Sequence, residues 1–216
     1  MKKFLSVLLL ILCLSLFTAC GEDKDYKATI DSTDVAKLSL FSYDGKSESV
    51  WGLANLGHAF LSIENISDSE FYIGQKKVAV GETIAIGTWS ILDHFGVWYN
   101  VESNYIKEHN KYDGRVSVTI GIDGDDIETL NSEIAKRDKW GVLNNCSRFA
   151  LSVYNAVANE NETIKTPLIY TPSYLTKYIK KFESFEYNKE IITEDTLGYF
   201  DNTSYVSFNL EKAKEV

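Results

Sequence analysis

The chain is short of almost everything that usually carries chemistry. Its 216 residues include three cysteines, three histidines and two prolines. No His/Cys cluster has zinc-ligand spacing, no glycine-rich stretch has the pattern of a phosphate loop, and no Gly-x-Ser-x-Gly elbow occurs. Asp123-Gly124-Asp125-Asp126 lacks the ligand spacing and the glycine position of an EF-hand loop. No metal and no organic cofactor is therefore expected. Positive charge is scarce as well: 22 Lys and Arg face 31 Asp and Glu, for a formal net charge of −9. Phosphate binding rests on clustered Lys and Arg, so nucleic acid is not expected as a partner. The apolar run from Leu5 to Leu16 is too short to cross a bilayer.

What is present is 44% hydrophobic residues with 25% charged, enough to bury one core. The N-terminus stands apart from it. Lys2 and Lys3 precede the Leu5–Leu16 run, and Phe17-Thr18-Ala19-Cys20 follows as a small-residue cleavage site. This resembles the lipobox of bacterial lipoproteins, with Phe17 where leucine is usual. The resemblance implies cleavage before Cys20, lipid on Cys20, and export. Residues 1–19 are then a signal peptide, 20–34 the lipidated cysteine and a tether, and 35–216 a single domain. The expected location is membrane-anchored, facing the periplasm or the extracellular side. The mature chain would keep 20 Lys and Arg against 31 acidic residues, a formal −11, so attachment is expected from the acyl chains rather than from charge. With Cys13 removed and Cys20 lipidated, Cys146 is left without a disulfide partner in an oxidising compartment. Such a thiol is either buried or used.

Periodicity divides the rest. Ala36 to Tyr43 reads as a strand ended by Asp44-Gly45, and His58 to Glu64 as a strand apolar on both faces, hence central. The turn Asn65–Ser69 would return the chain along 70–77, opposite His58 to Glu64. Thr83 to Trp89, Gly96 to Glu102 and Arg115 to Ile122 read as further strands. The period then becomes helical from Asp126 to about Lys139. A second helix follows, capped by Asn144 or Asn145, and a third runs from Pro172 to Lys180 with Thr171 as cap. Val206, Phe208 and Leu210 alternate and allow an edge strand. The expected class is α+β, a mostly antiparallel sheet with helices packed on one side.

Cys146 is the candidate nucleophile, because a helix N-terminus and a nearby imidazolium both favour thiolate. Free backbone amides in that first turn can serve an oxyanion. Of the three histidines, His94 lies in a polar turn and His109 in the charged stretch Lys107–Lys111, whereas His58 opens a buried strand directly after Gly57. His58 is the candidate base. A third group should orient its imidazole. Gln75 fits if the 58–64 and 70–77 segments pair, with Glu102 and Asn100 as rivals from another strand. Trp51, Trp89 and Trp98 could line a cleft.

Gly57-His58-Ala59-Phe60-Leu61-Ser62-Ile63, followed much later by Asn145-Cys146-Ser147-Arg148-Phe149-Ala150, resembles the circularly permuted papain-like group related to NlpC-type cysteine peptidases. The histidine strand precedes the cysteine helix, as in the permuted branch that includes lecithin retinol acyltransferase-like proteins. The Gly87-Thr88-Trp89 and Gly96–Glu102 stretches look like those of exported bacterial proteins of this group, and the likeness covers residues 50–180. It implies Cys146 as nucleophile, His58 as base, and no cofactor. The implied substrate is a cell-envelope amide or ester, such as a peptidoglycan stem peptide, cleaved by a cysteine amidase or peptidase. The other reading is a non-catalytic lipoprotein that uses the same cleft to bind an envelope ligand or a protein partner.

Overall fold

Leu38 and Leu40, Leu61 and Ile63, Val118 and Ile120 sit at alternate positions of three segments, and all six are fully buried. These segments pair at the centre of one sheet. In the computed structural model, which describes residues 28–45, 57–91, 94–165, 170–201 and 203–209, β1 (Ala36–Tyr43) runs antiparallel between β2 (His58–Asn65) and β7 (Val116–Ile122). The register sets Leu38 against Ile63 and Ile120, and Leu40 against Leu61 and Val118. Because side chains alternate between faces, one apolar stripe crosses three strands.

Outward from this centre, β5 (Thr83–Ile91) pairs with β2, β6 (His94–Tyr99) with β5, β9 (Leu197–Phe200) with β6, and β10 (Tyr205–Phe208) with β9. On the other side β8 (Glu186–Tyr187) borders β7, giving eight antiparallel strands. The short strands β3 (Phe71–Ile73) and β4 (Lys76–Val78) form a hairpin of their own.

Four helices complete the described residues: α1 (Val101–His109), α2 (Gly124–Lys136), α3 (Cys146–Val157) and α4 (Pro172–Ile179). Asp123 closes a capping box with Asp126 at the start of α2, Asn145 Oδ1 accepts from Arg148 N at the start of α3, and Thr171 Oγ1 accepts from Tyr174 N at the start of α4. Ile127, Leu130, Ile134, Phe149, Val153, Leu175 and Ile179 pack onto the stripe described above. The protein is thus α+β, with a large antiparallel sheet.

Four expectations are corrected. The segment after Asn65 does not return along β2, whose neighbours are β1 and β5; Gln75 falls in the turn of the β3–β4 hairpin and does not face His58. The strand expected over Gly96–Glu102 stops at Tyr99. Asn100 turns the chain with a left-handed φ of 63°, and Val101 and Glu102 begin α1. The helices do not all share one side: Val101 and Tyr105 of α1 pack with Trp98 and Trp89, which alternate with the stripe residues Val97 and Ile86 and so project from the opposite face. The last part of the expected tether lies against the domain, where Thr29 N donates to Glu162 Oε1 and Gly121 N to Thr29 O. The signal segment, Cys20, Trp51 and Leu210 lie outside the described residues.

Candidate active site

Three elements deliver one side chain each to the Tyr43–His58 end of the β1–β2 pair. Gly57 makes the approach possible: its φ is +74°, and a Cβ there would collide with the Tyr43 carbonyl and Pro172. His58 follows as the first residue of β2. Cys146 is the first residue of α3, on the covered face of the sheet. Glu102 comes from the first turn of α1, on the opposite face.

His58 Nε2 donates to Glu102 Oε1 across 2.9 Å, and Trp89 Nε1 donates to the same oxygen across 2.7 Å. That leaves Nδ1 of the ring for the sulfur, and the Cys146 side chain hydrogen-bonds to the imidazole. Glu102 is fully buried and its Oε2 has no hydrogen-bond partner among the described residues. Room for it is made by Gly87, where a Cβ would run into the carboxylate. The imidazole is also packed by rings, with Trp89 at 4.4 Å and Tyr112 at 5.5 Å between centroids. Tyr112 takes a φ of 61°, strained for an aromatic residue, to reach that place.

Burial alone would drive the imidazole pKa down. The Cys146 sulfur and the Glu102 carboxylate outweigh it and hold His58 at about 10. Burial likewise opposes ionisation of Cys146, yet the His58 charge, its hydrogen bond and the Ala59 amide lower the thiol below its ordinary value. The two shifts have one cause: the pair is more stable as thiolate and imidazolium than as two neutral groups.

A cleft of 590 Å³ opens over the pair, walled by Trp89, Trp140, Tyr170 and Pro172 with Asp44 and Ser90 at its margin. Cys146 is partly accessible there. Trp98, expected as a second cleft residue, is instead buried against Val101 and Leu197, with its Nε1 donating to His94 O. Asn100 is also used elsewhere: Oδ1 accepts from Ala85 N, and Nδ2 donates to the carbonyls of Thr196 and Glu194. Among the described residues no cluster of His, Cys, Asp and Glu is arranged to hold a metal ion.

A second imidazole–carboxylate pair lies nearby. His94 opens β6 rather than a polar turn, and its Nε2 donates to Asp138 Oδ1 across 2.8 Å. Tyr112, Trp140 and Tyr170 were not legible as site residues; the only signal in the chain is their aromatic character, which they share with 25 other residues.

Comparison of the chain with family models, with curated proteins and with solved structures gives no match in any of the three. The functional reading therefore rests on the site itself.

Proposed function

We propose that this chain is a thiol hydrolase of the cell envelope, an amidase or peptidase with a permuted papain-like arrangement and a lipid anchor on Cys20. The observation that carries the reading is the His58 imidazole held between the Cys146 thiol and the buried Glu102 carboxylate beneath an open cleft. A structural histidine needs no thiolate partner, and a structural cysteine gains nothing from an imidazolium.

In the reaction the Cys146 thiolate attacks the carbonyl carbon of the bound amide. Negative charge passes to the carbonyl oxygen, for which backbone amides in the first turn of α3 are the candidate donors. The imidazolium of His58 gives its proton to the leaving amine as the C–N bond breaks, leaving a thioester on Cys146. Water then attacks the thioester while His58 takes its proton, and collapse releases the acid and restores the thiolate. Glu102 keeps the ring in the tautomer and orientation that both steps need. The substrate class is an envelope amide, such as a peptidoglycan stem peptide bond.

The test is the pH dependence of Cys146 alkylation by iodoacetamide, compared with His58→Ala. The buried core runs from Ala36 to Phe200, so a chain starting at Gly21 keeps all of it and carries Cys146 as its single thiol. Rapid labelling well below about pH 8 that slows in the variant is expected, with amine release from murein peptides that Cys146→Ser abolishes. Slow labelling with an ordinary thiol profile, or no effect of removing His58, overturns the activated pair. Fast labelling without turnover of any envelope amide overturns the hydrolase and leaves a binding lipoprotein.

A further inference from the structure

Among the described residues, the loop that enters α3 presents the most exposed large apolar side chains beside the cleft. Gly141 and Asn144 exchange backbone hydrogen bonds of 3.2 and 3.0 Å, so Val142 and Leu143 form the tip of a tight turn. Tight turns favour Gly, Asn, Asp, Pro and Ser at the tip, because these residues fit the backbone and solvate well. Here the tip is Val-Leu, with Val142 84% and Leu143 83% exposed. Trp140 N donates to Phe95 O across 3.0 Å, which sets Phe95, 61% exposed, and Trp140, 39% exposed, at the base of the same turn. The turn is not loose: Asn144 Nδ2 donates to the carbonyls of Arg137 and Lys139.

Along the chain, the stretch that forms the turn and opens α3 is poor in acid, although Asp44 lines the same cleft as Trp140 and buried Asp138 directly precedes Lys139. No acidic residue occurs from Lys139 to Asn159, in a protein with 31 of them, and the two charged residues in that stretch are Lys139 and Arg148. Full-size side chains of about 150–250 Å² put the exposed apolar area of these four residues at roughly 400–500 Å². That is in the range of the largest apolar patch of an ordinary monomer, about 300–600 Å² and often functional, and short of the ~800 Å² per partner of an ordinary protein interface. A narrow, protruding, apolar tip with an aromatic base and basic flanks suits insertion among lipid headgroups.

We propose that the Phe95–Trp140–Val142–Leu143 turn is a docking loop for an anionic lipid surface, which seats the mouth of the cleft against the membrane. Docking does not depend on the hydrolase reading. If that reading holds as well, docking selects substrates whose scissile bond lies at the membrane surface, because Trp140 belongs both to the loop and to the cleft wall.

The experiment is co-sedimentation of the chain starting at Gly21, which carries no lipid, with phosphatidylcholine vesicles and with equimolar phosphatidylcholine–phosphatidylglycerol vesicles. The wild type is expected to partition onto the mixed vesicles. Val142→Ser/Leu143→Ser should lower the partition coefficient at least about thirtyfold, from two lost apolar insertions. Lys139→Glu should lower it about tenfold on the mixed vesicles and leave binding to phosphatidylcholine alone unchanged. Cys146 alkylation in solution should be the same for all three proteins, which establishes that the variants are folded. Cys146→Ala should bind as the wild type does, so loss of catalysis and loss of docking are read separately. Wild type and the Val142/Leu143 variant partitioning alike, or no partition of the wild type onto either vesicle, overturns the proposal. Self-association of the wild type that the double substitution abolishes also overturns it, assigning the turn to a second copy of the chain.

Discussion

The protein contains the same polar device twice. In one copy His58 Nε2 donates to buried Glu102, 2.9 Å away; in the other His94 Nε2 donates to buried Asp138, 2.8 Å away. Each carboxylate accepts a second N–H at its bonded oxygen, from the Trp89 indole in the first case and from Val97 N in the second. Each leaves its other oxygen without a partner among the described residues. Each is given space by a glycine, Gly87 below Glu102 and Gly96 below Asp138. What differs is the far side of the ring. His58 meets a thiol at a helix start, whereas His94 stacks on Tyr199 at 4.8 Å and 14°. The first pair therefore has a proton to exchange with a nucleophile. The second ties β6 to the loop between α2 and α3, holding the chain that leads to Cys146. An imidazole–carboxylate pair is not chemistry by itself; its third neighbour decides.

Removing the two rings should separate these roles most widely. His58→Ala should slow Cys146 alkylation at about pH 6 by on the order of a hundredfold, since the thiol returns toward its ordinary range. His94→Ala should leave that rate within about twofold and instead lower unfolding stability by about 1–3 kcal/mol, because Asp138 keeps one hydrogen bond in a buried position. Equal effects of the two substitutions on alkylation would erase the distinction.

Neutralising the carboxylates should give a smaller split. Glu102→Gln keeps the shape and removes the charge that helps hold the His58 pKa up, so that pKa should fall. Alkylation at about pH 6 should drop roughly tenfold, with the midpoint of its pH profile moving upward. Asp138→Asn should leave the profile where it is. Gly87→Ala and Gly96→Ala carry the same contrast into packing. Both should cost about 1–3 kcal/mol of stability from the forced contact, but only Gly87→Ala should also displace Glu102 and slow alkylation.

The two pairs were unequally legible, for a physical reason. Cys146 and His58 announce themselves locally: Asn145 caps an amphipathic segment, and Gly57 introduces a run apolar on both faces. The strands at the sheet centre were readable from the same local alternation. Glu102 remained one of several rivals because Trp98-Tyr99-Asn100-Val101 has the aromatic and β-branched composition of a strand. What ends that strand is the left-handed turn at Asn100, stabilised by the carbonyls of Glu194 and Thr196 from almost a hundred residues away. The partnership of His94 with Asp138 spans 44 residues and leaves no local mark. Gln75 was misplaced because the polar turns at Asn65–Ser69, Gly74 and Gly81 look alike in sequence: the first leads into the β3–β4 hairpin, the second closes it, and only after the third does β5 run back beside β2.

The smallest effect concerns stability against pH. A raised folded pKa on His58 stabilises the fold fully below the ordinary 6.5 and loses that contribution as pH climbs toward 10. A lowered folded pKa on Cys146 stabilises fully above its ordinary 9.0 and loses that contribution as pH falls. Between 6.5 and 9.0 the two contributions oppose each other, because the His58 one shrinks as pH rises while the Cys146 one grows. Measured against a variant lacking both side chains, the stability of the wild type should thus change less across that window than either group alone would require, and should fall by about 0.6 kcal/mol between pH 9 and pH 10, where the unfolded thiol has lost its proton and folded His58 still holds part of its own. On the acid side it should fall as pH drops through the folded Cys146 pKa. This curve counts protons without saying which atom holds them, so it tests the coupling while alkylation tests the thiolate. A difference that stays level to pH 10 would mean that the two groups titrate as they do in the unfolded chain. His58 would then be a second His94, a ring that braces the sheet.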